Sequence, residues 1–107
     1  MNALLTIVLA VQMLTALPYD LQTRPVVATL GALGANREMM QAVARKVEGH
    51  WLWPASWMFM PTTRGVLDDP AFPGFAQKLG LMHYWKATHT RPDVCSGKDA
   101  PLFCRMI

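Results

Sequence analysis

The chain has 107 residues, of which 52% are hydrophobic and 16% charged, with a net charge of +3 and a pI near 9.2. That length allows one domain with a modest core. Charge this far below the roughly 25% of an average soluble domain implies surface covered by a membrane, a second copy or preceding repeats. The basic residues are scattered from Arg24 to Arg105 and only Arg45 and Lys46 are adjacent. This argues against nucleic acid as a partner, because such binding needs Lys and Arg clustered on one face.

Met1 to Leu17, MNALLTIVLAVQMLTAL, carries no ionisable side chain, and the first one after it that carries a formal charge is Asp20. Three readings compete for this segment. A signal peptide wants a basic n-region, which is missing, although Leu14-Thr15-Ala16 is a passable cleavage site. A transmembrane helix wants about 20 apolar residues, and Pro18 stops this one short. A buried helix of a helical domain needs neither and is the leading expectation. Pro18-Tyr19-Asp20 then makes a turn.

Pro25 can open a short helix with Val26, Val27, Leu30 and Leu33 on one side. Gly31, Ala32 and Gly34 are small enough to admit a close neighbour, and Gly34 is a C-terminal stop. Asn36 is the expected cap of a second helix, with Glu38 in its first turn. There Met39, Met40, Val43, Ala44 and Val47 form an apolar stripe, Arg37, Gln41, Arg45 and Glu48 face away, and Gly49 ends the helix. The result over 24–49 is an antiparallel helical hairpin with a very short connection.

Residues 50–61, HWLWPASWMFMP, are aromatic and methionine-rich. Pro54 can start a helix through Trp57, Met58 and Met60, with Pro61 kinking or ending it. Trp51, Trp53 and Trp57 fit either a small core or a partner-binding surface, core being the simpler reading. Asp68 and Asp69 precede Pro70 and look like helix caps rather than an acid–base pair. Phe72, Phe75, Leu79 and Met82 recur at helical spacing. Pro73 removes a first-turn hydrogen bond if Pro70 is helical, which moves the expected helix start to Pro73. Leu81–Thr88, with Tyr84 and Trp85, forms another short helix. Together 54–90 make a second hairpin and 91–107 an irregular tail. The expectation is therefore an all-α fold in a single domain over 1–107.

No catalytic triad, phosphate loop or metal motif is present, so an enzyme is not expected, and neither is a cofactor. His83, His89, Cys95 and Cys104 have ligand types that suit zinc, but not the tightly spaced pairs of structural sites. Cys95 and Cys104 enclose eight residues. That loop can close as a disulfide or leave two reduced thiols, the second being usual in a cytoplasm.

The last third carries a family likeness. DPAF, KLGL, YW, RPDVC and a final Cys, read at Asp69, Pro70, Phe72, Leu79, Gly80, Leu81, Tyr84, Trp85, Pro92, Asp93, Cys95 and Cys104, resemble the C-terminal end of bacterial tetratricopeptide-repeat proteins. Those arrays often sit behind winged-helix regulator or adenylate-cyclase-type domains. The likeness covers 56–104. The 24–49 hairpin departs from the repeat pattern: with Gly34 at the turn, Leu30 takes the large position. Met39 stands where the family has alanine, and Trp51 where it has proline. No self-similarity at about 34 residues is visible, and such arrays usually need three repeats.

The resemblance implies a tetratricopeptide-like interaction module, the C-terminal part or a remnant of a regulatory protein, that binds a protein partner or itself. Trp51, Trp53, Trp57, Tyr84 and Trp85 are then candidate partner-binding residues. It also implies a Cys95–Cys104 pair, which would favour a periplasmic location over a cytoplasmic one. The alternative is a small membrane-anchored or exported helical protein using residues 1–17. Two packing expectations follow: Phe75 and Leu79 bury against Trp51–Met60, and Tyr84 and Trp85 dock on the preceding hairpin beneath the bridged tail.

Overall fold

A computed structural model describes residues 2–48 and 53–107, and the described residues contain helices and no strand. The α-helices are α1 (Ala3–Thr15), α2 (Arg24–Ala32), α3 (Asn36–Val47), α4 (Arg64–Leu67), α5 (Phe72–Lys78) and α6 (Leu81–Thr88). Short 3₁₀ segments fill most of the remainder: Tyr19–Leu21, Trp53–Phe59, Pro61–Thr63, Asp93–Ser96 and Leu102–Met106. The chain divides into two compact units, Met1–Val66 and Leu67–Ile107.

In the first unit α2 begins with Pro25 in its first turn and ends on Gly34, whose φ of +83° is the left-handed geometry of a helix stop. The short connection returns the chain into α3, and the two helices pack on each other and on the turns Trp53–Phe59 and Pro61–Thr63. Val27, Leu30, Met39, Met40, Val43, Trp57 and Met58 form the interior. Arg37, Gln41, Arg45 and Glu48 face solvent, so the stripe read from the 3.6-residue period is the one buried.

Two local details differ from expectation. Asn36 does not cap α3: Ala35 holds the cap position, and the Asn36 amide instead donates to the Gly65 carbonyl at 3.4 Å. The segment after Pro54 is a 3₁₀ turn rather than an α-helix, and Pro61 opens a separate turn. Proline cannot donate to the turn before it, so each proline restarts the backbone. The Gly49 stop lies outside the described residues.

Gly31 carries the closest approach in this unit. A Cβ there would lie 2.4 Å from Met39 Sδ and 2.9 Å from Thr63 Cγ2. Thr63 is itself fully buried, its hydroxyl donating to the Trp57 and Met60 carbonyls at 3.0 and 3.2 Å.

In the second unit the Asp69 carboxylate accepts from the Ala71 N–H at 2.8 Å, turning the chain into α5, with Pro73 in the first turn. The helix therefore starts at Phe72, next to the Pro73 start expected. Gly80 at φ +82° separates α5 from α6, and His89 at φ 55° ends α6 in the same left-handed region. Phe72, Ala76, Leu81, Met82, Trp85 and Phe103 are buried. Phe103 lies 5.1 Å from Phe72 and stacks on Trp85 at 5.4 Å between ring centroids. Phe75 and Leu79 are only half-buried. The apolar period of α5 is thus anchored by Phe72 and Ala76.

Candidate functional site

α1 forms as an apolar helix, but it is not the buried helix that its composition suggests. None of its residues is buried. Leu4, Leu5, Ile7, Val8, Leu9 and Met13 are exposed, Met13 by 73%. At about 100° per residue these six spread over roughly two thirds of the helix circumference. Leu5, Leu9 and Met13, four apart, form one continuous ridge. A monomeric soluble protein rarely leaves so continuous an apolar surface in water.

Some of the backbone groups at the ends of this helix are satisfied from within the chain. Asn2 Oδ1 accepts from the Leu4 and Leu5 N–H groups at 2.6 and 3.4 Å. The Thr15 hydroxyl donates back to the Val11 carbonyl at 2.9 Å and the Gln12 carbonyl at 3.1 Å. Gln22 Nε2 reaches across the Pro18 turn to the Leu14 and Leu17 carbonyls at 2.8 and 3.1 Å. Gln22 is 5% exposed, and its Oε1 has no hydrogen-bond partner in the structure. This latch was invisible to sequence reasoning, because its partners lie five and eight residues back across a turn and follow no periodic rule.

Beside the latch, Lys46 Nζ donates to the Tyr19 carbonyl at 2.7 Å and sits 3.9 Å above the Tyr19 ring, a cation–π contact. Thr15, Tyr19, Gln22, Glu38, Arg45 and Lys46 line a small cavity of about 90 Å³ there. Drug-sized ligand sites start near 300 Å³, so this one suits water better than a substrate. A shallow groove of about 340 Å³ runs between Ile7, Val8 and Val11 of α1 and Leu33 to Ala35. It is open, and mostly apolar in lining.

The residues singled out from sequence separate into three groups. Trp57, at 4% exposed, belongs to the interior of the first unit, and Trp85, at 8%, to that of the second. Neither offers a surface to a partner; an indole at helical spacing among methionines and phenylalanines has packed as core. Tyr84 is 56% exposed and so is not docked as expected. Trp51 lies outside the described residues, and of Trp53 only the backbone turn is described.

Cys95 and Cys104 are joined in a disulfide, with Cα atoms 5.6 Å apart. Neither sulfur is then a thiolate, and His83 and His89 are both exposed on separate turns. No group of three His, Cys, Asp or Glu among the described residues could hold a metal. The bridge ties the Asp93–Ser96 turn to the Leu102–Met106 turn, and Arg91 Nη2 donates to the Cys104 carbonyl. Phe103 is thereby carried into the aromatic cluster, which reasoning on a Pro- and Gly-rich tail did not find.

Among the described residues the chain is helical, and α1 is an apolar helix with no buried residue. No protein-family model, curated protein or solved structure matches the chain.

Proposed function

We propose that the chain is a non-enzymatic helical interaction module and that α1 is its docking element. One observation carries this reading: a helix with no buried residue displays six large apolar side chains. In its tetratricopeptide-like form, the α2–α3 hairpin is a repeat-like support, and α1 covers a neighbouring hairpin supplied by further repeats, a partner protein or a second copy. That form makes the chain the C-terminal part, or a remnant, of a regulatory protein. Tyr84 stays a candidate for the same role on the second unit, being large, amphipathic and exposed.

A second reading is a small membrane-held or exported helical protein with residues 1–17 as anchor or signal. It is favoured by the disulfide, which belongs in an oxidising compartment such as the periplasm, and by the lack of any charge in α1. No helix among the described residues is long and apolar enough to cross a membrane.

The test is photo-crosslinking in the native cell with a benzophenone amino acid placed at Leu9 or, as a control, at Gln41. Discrete protein adducts from position 9 and none from 41 are expected for an interaction module. Absence of adducts from position 9, in a chain that also stays out of the membrane fraction, overturns the reading.

A further inference from the structure

We propose that α1 is a lipid-docking helix. It lies in the interfacial plane of a bilayer, with Leu5, Leu9 and Met13 against the acyl chains and the Tyr19–Lys46 pair at headgroup level. This rests on the second reading above and names the partner of the same surface.

Length is the first argument. At 1.5 Å per residue, the 13 residues of α1 reach about 20 Å, short of the ~30 Å hydrocarbon core, so the helix is suited to lying on a leaflet rather than spanning two. An isolated interfacial helix needs a polar face for the water side. Here α2 stands against part of α1, so the folded unit takes the place of that face.

Hydrogen bonding is the second. A lipid offers no partner for the free N–H groups and carbonyls at a helix end. At one end Asn2 accepts from the Leu4 and Leu5 N–H groups, and at the other Gln22 donates to the Leu14 carbonyl, so these end groups are met from within the chain. A helix docking into a protein groove could leave this to polar groups on the groove rim. One that meets hydrocarbon has to bring its own.

The boundary chemistry is the third. Tyr is enriched at membrane–water interfaces, where its ring is half apolar and its hydroxyl wet. Tyr19 is 46% exposed, carries Lys46 over its ring, and shares a cavity wall with Thr15 at the end of α1. Exposed Arg45 adds a second cation. Asp20 and Glu38 lie nearby and offset much of that charge. Apolar insertion therefore dominates, and anionic lipid adds only a small increment.

The experiment is flotation of the purified full chain with vesicles of phosphatidylcholine alone and of phosphatidylcholine with phosphatidylglycerol. The wild-type chain is expected to float with both, slightly more with the second. Leu5→Gln/Leu9→Gln is expected to lose at least tenfold of the bound fraction, with its circular dichroism unchanged because no α1 residue is buried. Leu9→Gln/Met13→Gln, on the same ridge, is a second pair should the first fail to fold. Failure to float with either vesicle, or equal flotation of wild type and folded variants, overturns the proposal. So does a stable lipid-free oligomer that ignores vesicles, or a mature cellular chain that begins after Ala16. Protein adducts from position 9 without flotation would overturn lipid docking alone and leave the interaction module standing.

Discussion

Gly31 and Gly34 sit three residues apart and are glycine for different reasons. At Gly31 the constraint is space: a methyl group would meet Met39 Sδ and Thr63 Cγ2, both on fully buried residues. At Gly34 nothing lies within 4 Å of the missing Cβ, and the constraint is its φ of +83°. Gly31→Ala should destabilise the chain by about 1–3 kcal/mol through overpacking, outweighing alanine's helix propensity. Gly34→Ala should cost about 1–2 kcal/mol, while Gly34→Asn should cost less, because Asn tolerates the left-handed region. Urea titrations of the three variants check this, and a Gly31→Ala protein as stable as wild type would contradict the close approach. Both glycines stand in the sequence as small residues near a turn. The stop at Gly34 is legible there, whereas the close approach at Gly31 depends on a partner 2.4 Å away on another helix.

Helices in this chain differ in how they are held. α2 and α3 bury an apolar stripe, whereas α1 is fastened at its end by Gln22 and by modest contact with α2. Local stability follows burial. Amides of α1 should therefore exchange at least an order of magnitude faster than those of Val27–Leu30 and Met39–Val43 in lipid-free solution. Replacing the latch, Gln22→Leu, should cost about 1 kcal/mol and accelerate exchange in Leu14–Leu17 more than in α3. Hydrogen-exchange mass spectrometry reads both. In the second unit, the helical spacing of Phe72, Phe75 and Leu79 is right, but its weight falls on the first of them. Phe72→Ala should cost about 3–5 kcal/mol, and half-buried Leu79→Ala less than about 2 kcal/mol, measured by chemical denaturation. A larger loss at Leu79 than at Phe72 would reverse that ordering.

At the scale of the whole chain, the second unit has only about 40 residues, a size at which a covalent link usually supplements the core. The Cys95–Cys104 bridge closes a loop of nine residues' separation and holds Phe103 beside Trp85. By restricting the unfolded chain it should contribute about 2–3 kcal/mol. Melting oxidised protein with and without reductant, beside Cys95→Ser, tests this: the last two should coincide and lie below the first. If all three melt together, the bridge contributes nothing to stability.

Local rules went a long way here. Helical periodicity placed α2, α3 and α6 and chose the buried face of α3, because a 3.6-residue repeat of apolar side chains has one packing solution. Glycine and proline punctuation marked the Pro18 turn and the Gly34 stop, and the family likeness implied the cysteine pair. Other features depended on three-dimensional neighbours. An uncharged apolar segment reads the same whether it ends inside a core or on a surface; only the packing around α1 decides that its side chains stay exposed. A tryptophan at helical spacing is likewise core or interface according to what lies over it, and Trp57 and Trp85 are covered while Tyr84 is not. Composition and period determine which segments must be helical and apolar. Burial is a property of pairs of segments, and it was decided only when the chain folded.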